Sequence, residues 1–134
     1  MSETGSACGK SLTQLRRRET GRPIDRMGVR DGKVPLLTFP LLEQEEWLSC
    51  AITTRLGGVS EGGLSALNLS YTREKQKERV DANFRLLGES AHFRPEDMVL
   101  SFQTHTTNIR VVTGQDRGKG FCRERDYQDI DGLV

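Results

Sequence analysis

The most informative segment of the sequence is ITTRLGGVSEGG, residues 52–63. It begins with residues typical of β-strands and then enters a loop that contains four glycines. Just before it, Leu48, Cys50 and Ile52 alternate with smaller or polar residues. This period of two predicts a half-buried strand over residues 48–53, with Cys50 as a small core residue.

On either side of this stretch the hydrophobic pattern predicts one more strand and one main helix. The segment VPLLTF, residues 34–39, is apolar and extended, and Pro35 together with Pro40 marks it as an edge strand. Residues 73–87 carry apolar side chains at helical spacing, and Gly88 is a typical residue to follow a helix end.

The C-terminal third predicts short elements. A helical turn is expected at residues 95–97, where Pro95 suits a first helical position. Strands are expected at 98–103, at 109–113 and from Ile130 onward, with a turn-rich loop at 114–120. The predicted fold class is α/β, a mixed sheet with flanking helices. Because the sequence ends inside an apolar run, we expect an incomplete domain.

Composition excludes several classes of protein. The chain has 134 residues, with 20 Lys and Arg against 19 Asp and Glu, a net charge of +1. This balance argues against strong attraction to nucleic acid or to a membrane surface. No apolar run is long enough to span a bilayer. Three widely spaced cysteines do not suggest a disulfide framework, and they favour the cytoplasm.

The charge is unevenly spread along the chain. Residues 1–33 hold eight basic and four acidic residues, a net charge of +4, and few large apolar ones. The sequence therefore predicts a flexible basic leader over 1–33, with the folded domain over 34–134. The run Arg16-Arg17-Arg18 leaves open a contact with RNA or acidic lipid, although a solvated leader is the preferred interpretation.

Two features could carry chemistry. His105 lies in QTHTT, residues 103–107, at the end of a predicted strand, where an imidazole can bind a metal or move a proton. The alternative is a histidine that hydrogen-bonds the neighbouring threonines. The glycine loop lacks the Lys of a phosphate-binding P-loop, because Gly63 stands in its place. With Arg55 beside it, the loop either binds an anion or is a plain turn. His92 is expected to be structural or exposed, and Cys122 to be a surface thiol.

Four segments together resemble the YfiH/laccase-domain family. They are residues 52–62 followed by Leu67-Asn68-Leu69, then Asn83 with Arg85, then Gln103-Thr104-His105, and last Asp129-Ile130-Asp131-Gly132-Leu133. They occur in the family's order over about residues 34–134. The resemblance implies a zinc-dependent purine nucleoside phosphorylase that also deaminates adenosine, with copper as the less favoured metal.

The resemblance also implies roles for particular residues. His105 corresponds to the first metal ligand of the family and is the expected catalytic residue, while the family's later Cys and His ligands have no counterpart here. Arg55, Asn68 and Arg85 are candidate contacts for the purine nucleoside and phosphate, and Asn68 and Arg85 could equally be structural. Taken alone, the chain is expected to be inactive. The alternative function is a non-catalytic binding module whose basic tail binds RNA or another acidic partner.

Overall fold

The structure, a computed structural model, describes residues 27–134, so the predicted leader up to residue 26 lies outside the described residues. The chain divides into two compact units, of which residues 27–91 and 92–134 are described. The described elements are one α-helix, short 3-10 turns and two small sheets, which confirms the mixed α/β class. Within residues 27–134 no helix has the length and apolar character needed to cross a bilayer.

The first unit contains a three-stranded antiparallel sheet. Its strands are β1 (Gly28–Arg30), β2 (Leu36–Thr38) and β3 (Ala51–Thr53), in that order across the sheet. The prediction that residues 34–39 form an edge strand is therefore wrong. β2 is the central strand, because it pairs with both β1 and β3. Pro35 and Pro40 flank β2 without lying in it, so neither removes a hydrogen bond from the paired segment.

Two findings concern the borders of this sheet. β1 lies within the segment predicted as a leader and pairs with β2 through the register Val29 to Leu37. β3 is an edge strand, and all three of its residues are exposed, so the predicted half-buried strand is wrong over 51–53. Partial burial is found only before β3, where Cys50, the predicted core residue, is half-buried.

Helix α1 spans Lys77–Ala91 and supplies the buried face of the first unit. Its buried residues recur at the spacing of one helix face and are Val80, Asn83, Phe84, Leu87 and Gly88. The helix begins four residues later than predicted, and Gly88 lies inside it instead of ending it. The last turn is held by Ser90, whose hydroxyl accepts from the Val34 amide at 3.2 Å, and by the Lys33–Glu89 ion pair at 3.0 Å.

At Gly57 and Gly58, the glycine-rich loop lies very close to the backbone of other residues. A Cβ at Gly57 would lie 1.8 Å from the Lys33 carbonyl oxygen, and one at Gly58 would lie 2.2 Å from the Ala66 oxygen. Gly57 also has a φ of +85°, which L-residues rarely adopt. These two glycines are therefore required by packing, whereas Gly62 and Gly63 face open space.

The second unit is built around a short parallel pair. Strand β4 (Ile109–Arg110) pairs with β5 (Gly132–Leu133), and Phe102 forms an isolated antiparallel bridge with Ile130. The three predicted strands thus exist as much shorter segments. The predicted turn at Pro95–Asp97 is confirmed as a 3-10 helix, and another 3-10 helix occupies Gly114–Asp116.

The loop geometry predicts unequal effects of two Gly→Ala substitutions. Gly62→Ala adds a methyl group in open space at positive φ and should lower the free energy of unfolding by about 1 kcal/mol. Gly57→Ala adds the same φ penalty and a collision with the Lys33 backbone, so its loss should be clearly larger. Urea denaturation of both variants measures the difference, and equal losses would contradict the close approach at Gly57.

Candidate functional site

His105 lies in an exposed loop of the second unit, between the Phe102 bridge and β4. Its backbone has a φ of +65°, the left-handed region. A residue with a Cβ pays roughly 1–2 kcal/mol there. Non-glycine residues held in this region are often found at functional sites. The backbone conformation is therefore consistent with the prediction that His105 is a functional residue.

The carboxylate of Asp131 holds this loop. The Thr104 amide donates to Asp131 Oδ1 at 2.9 Å, and the Thr106 amide donates to Oδ2 at 3.1 Å. The pKa of Asp131 is lowered, chiefly because the Thr104 amide stabilises its charged form, with further help from the Thr106 amide and hydroxyl and the His105 amide. Partial desolvation opposes the shift without reversing it. Asp131 is therefore a carboxylate bound by a run of backbone N–H groups.

Asp129 adds a second set of contacts to the same loop. The Thr104 hydroxyl donates to Asp129 Oδ1 at 2.9 Å, and the Asn108 side chain donates to the Asp129 carbonyl at 2.9 Å. The Thr106 hydroxyl lies 3.2 Å from both the Asp129 carbonyl and Asp131 Oδ1. Both threonine hydroxyl protons are thus directed at aspartate oxygens, so neither threonine donates to the imidazole of His105.

Arg55 closes the glycine loop in the first unit. Its Nη2 donates to the carbonyls of Gly63 and Ser65, at 2.9 and 3.0 Å, and its carbonyl accepts from Ala66 and Leu67. The side chain remains exposed, so the positive charge stays at the surface. A structural role for Arg55 is therefore visible, and its predicted role in binding substrate stays a prediction.

Several amides of this loop already donate within the protein. The Val59 amide donates to Asn83 Oδ1 at 2.8 Å, and the Ser60 amide donates to the Ala66 carbonyl at 2.9 Å. Leu64 and Ser65 donate to carbonyls of the loop itself. A cradle of backbone N–H groups for an anion would need such donors, so these contacts favour the plain turn over the anion-binding loop.

Asn68 and Arg85 are placed differently. Asn68 forms a local turn, since its side chain accepts from the Ser70 amide at 3.1 Å, and its carbonyl accepts from Asn83 Nδ2 at 2.8 Å. Arg85 lies on the exposed face of α1, two residues after the fully buried Asn83. Asn83 thereby connects the helix, the glycine loop and Asn68, while the roles of Asn68 and Arg85 toward a substrate stay predictions.

A second charged cluster lies in the second unit. Lys119 Nζ donates to Asp116 at 2.7 Å and to Asp126 at 2.9 Å. The hydrogen bond from Lys119 lowers the pKa of both carboxyls, and the two carboxylates raise the pKa of Lys119. Arg110 of β4 lies 3.6 Å from each of the same two carboxylates and over the ring of Tyr127. This cluster fixes the loop between β4 and β5.

His92 and Cys122 both lie at the surface. His92 is exposed, with a φ of +60°, and Cys122 is exposed, as expected for each. Among residues 27–134, no three His, Cys, Asp or Glu side chains lie close enough together to hold a metal ion. The described residues therefore do not form a complete metal site, and His105 contributes one possible ligand.

Comparison with known proteins identifies the class to which the chain belongs. Residues 49–134 match the family model of the multi-copper polyphenol oxidoreductase laccases, a segment that begins just before β3 and includes the His105 loop and β5. The match covers more than half of the chain. The chain therefore belongs to this family, and the resemblance predicted from the sequence is confirmed.

Two curated relatives make the comparison more specific. A purine nucleoside phosphorylase of Bacteroides thetaiotaomicron is 34% identical over 77 residues, which cover 58% of this chain and 28% of that protein. Purine nucleoside phosphorylase YlmD of Geobacillus stearothermophilus is 33% identical over 88 residues, which cover 58% of this chain and 32% of that protein. The chain thus spans less than a third of the length of these relatives.

Asp131 is the residue that reasoning from the sequence did not select. It belongs to a quoted segment, Asp129–Leu133, but no role was predicted for it. The available signal was an acidic residue directly before a short strand, opposite a loop rich in threonine. Only the structure shows that the two segments, 27 residues apart at the Thr104–Asp131 hydrogen bond, meet.

The backbone at residue 105 predicts which substitution is tolerated. His105→Gly removes the penalty of a Cβ at positive φ, so it should be about 1 kcal/mol more stable than His105→Ala. Urea denaturation of the two variants measures this difference. Greater stability of the alanine variant would show that residue 105 does not have the left-handed conformation.

The Lys119 cluster predicts a dependence of stability on pH. Because the pKa values of Asp116 and Asp126 are lowered in the folded chain, their contribution is present above the ordinary Asp pKa. It is lost as the pH falls through the folded values. Lys119→Met should therefore lower stability at pH 7, and its difference from the unsubstituted chain should shrink below about pH 4.

Thermal unfolding at a series of pH values measures this effect, with Lys77→Met at the exposed start of α1 as the matched control. The control should change stability little at any pH. A Lys119→Met deficit that stays constant down to pH 2 would contradict the role assigned to the two aspartates.

Proposed function

We propose that the chain is the N-terminal part of a cytoplasmic, metal-dependent purine nucleoside phosphorylase. Membership of the family and the names of the two relatives support this activity. The observation that carries the assignment of a site is the loop of His105, which is exposed, strained at residue 105 and fixed by Asp131. Such a loop holds the backbone of an exposed histidine in one conformation.

His105 is proposed as one ligand of the metal and as the catalytic residue of this segment. A neutral imidazole suits zinc, and we prefer zinc over the copper of the family description because four-electron copper chemistry needs several copper sites. Since no three potential ligands among the described residues lie close enough together to hold a metal ion, we assign no reaction step to a metal. The role proposed here for this chain is to supply and orient one imidazole.

The proposed substrates are a purine nucleoside and phosphate, with adenosine, inosine and methylthioadenosine as candidates. In phosphorolysis a phosphate oxygen bonds to C1′ of the ribose while the bond from C1′ to the purine breaks. The purine leaves with the electron pair and takes up a proton. Arg55, Asn68 and Arg85 are proposed to contact these substrates, and the exposed guanidinium of Arg55 is suited to phosphate. Deamination of adenosine is a proposed second activity.

The alternative function, a binding module for RNA or another acidic partner, depends on the basic segment 1–33. Most of that segment lies outside the described residues, and its described end forms β1. Two observations within residues 27–134 favour the enzyme instead, namely the fixed His105 loop and a family match that begins at residue 49, after the basic segment.

The proposal predicts a defined phenotype for one histidine. In the complete protein, His105→Ala should reduce the phosphate-dependent release of adenine from adenosine, and of hypoxanthine from inosine, by at least about a hundredfold. Chromatography of the released bases measures the rate. The isolated 134-residue chain should bind Zn²⁺ more weakly than micromolar and should show no turnover, because its described residues offer no group of three ligands around His105.

His92→Ala is the matched control, because His92 is the other histidine and is also exposed at positive φ. It should leave both rates within about twofold of the unsubstituted protein. Full activity of His105→Ala would refute the assignment of His105. Tight Zn²⁺ binding with turnover by the isolated chain would refute its proposed dependence on residues outside it.

A further inference from the structure

Asp131 is the most strongly engaged carboxylate near His105, and no role follows for it from the family match or from the relatives. The Thr104 amide donates to its Oδ1, the Thr106 amide donates to its Oδ2, and the Thr106 hydroxyl donates to Oδ1. Two of these contacts have distances of hydrogen bonds to a charged acceptor, 2.9 and 3.1 Å. One carboxylate therefore organises the whole turn that carries the imidazole.

The conformation of the turn matches this arrangement. Successive backbone N–H groups converge on one anion when a residue among them adopts the left-handed conformation. His105 is that residue, with a φ of +65°. The carboxylate and the left-handed backbone thus depend on each other, since removal of the anion leaves the His105 conformation with its steric cost and without its compensation.

We propose that Asp131 is a positioning residue for His105. Its carboxylate holds the 104–106 backbone in the conformation in which His105 is exposed, and so keeps the imidazole in place to bind a metal ion or to exchange a proton. This inference rests on the proposed function for the importance of His105, but its structural part concerns only the loop. Asp131 acts through the backbone and not by contact with the substrate.

Asp129 provides a matched comparison within the same segment. Its carboxylate accepts from the Thr104 hydroxyl, and its contacts with Asn108 and Thr106 use the backbone carbonyl, which a side-chain substitution leaves in place. An Asn at position 129 can still accept from that hydroxyl through its amide oxygen. An Asn at position 131 loses the charge and replaces one of two acceptor oxygens with a donor, which faces a donating amide.

The first experiment uses the unsubstituted chain, so it does not depend on the folding of a variant. In a ¹³C,¹⁵N-labelled sample, scalar couplings through hydrogen bonds should join the amide nitrogens of Thr104 and Thr106 to the side-chain carboxylate carbon of Asp131. Observation of both couplings supports the proposed clamp. Their absence, while the coupling from the Val134 amide to the Arg110 carbonyl is seen in the same spectrum, would overturn it.

The second experiment tests the consequence for the imidazole, with Zn²⁺ alone as the probe. Zn²⁺ is added to the 134-residue chain while the ring nitrogens of His105 are followed by NMR. Asp131→Asn should weaken the response of His105 by about tenfold or more, as loss of a partner that orients a ligand typically does. Asp129→Asn should leave the response within about twofold.

The outcomes separate the two proposals. An equal response in all three proteins, with the couplings present, would overturn the positioning role of Asp131 and leave the assignment of His105 intact. If the resonances of the His105 ring do not respond to Zn²⁺ even in the unsubstituted chain, the prediction that this chain alone binds Zn²⁺ weakly through His105 is wrong, and the couplings still decide whether Asp131 fixes the loop. Retained amide protection at Val134 in Asp131→Asn shows that β4 and β5 remain paired, so a weaker response then reports positioning.

Discussion

The hydrogen bonds from the 104–106 backbone to the Asp131 carboxylate are the constraint on which the candidate site depends. They join the loop that contains His105 to Asp131, the residue just before β5. They also stabilise the left-handed backbone conformation of His105 in an exposed turn. Hydrogen bonds to a charged acceptor are stronger than those between neutral groups, so these two help to offset the steric cost of the His105 conformation. An exposed loop with few apolar contacts can therefore still be specific in shape.

In the first unit, a neutral side chain, Asn83, holds the glycine-rich loop in place. Asn83 is fully buried on α1 and contacts the Val59 amide, the Ser60 hydroxyl and the Asn68 carbonyl, at 2.8, 3.1 and 2.8 Å. A buried side chain with these partners fixes the glycine loop against the helix at little cost, because its polar atoms are satisfied. In each unit, one polar side chain thus fixes the conformation of a loop that contains candidate site residues: Asn83 in the first unit and Asp131 in the second.

Elements with strong local signals were predictable from the sequence. The stripe of Val80, Phe84 and Leu87 predicted α1, and Pro95 predicted the 3-10 turn, because helical periodicity and proline geometry act within a few residues. The extent of the strands was not predictable in the same way. The central place of β2 and the exposure of β3 depend on which strands pair, and pairing is decided over long separations in sequence.

The candidate site also has one part that was predictable from local sequence and another part that depends on the fold. His105 was found because its residue type and neighbours are visible in the sequence, whereas the structural contacts of Arg55 with Gly63 and Ser65, and the clamp formed by Asp131, depend on the folded path of the chain. Gly88 shows the limit of a local rule, since a residue typical of helix ends lies buried inside α1, whose last turn is held by contacts with Lys33 and Val34.

Hydrogen exchange of the Thr104 and Thr106 amides tests whether the Asp131 carboxylate holds this loop. Both residues are exposed, so without the Asp131 carboxylate their amides would exchange at the rate of an unstructured peptide. With the hydrogen bonds in place, both amides should exchange at least about tenfold more slowly than that rate in the native chain. Exchange of both at the unstructured rate, while the amides of α1 remain protected, would contradict the account.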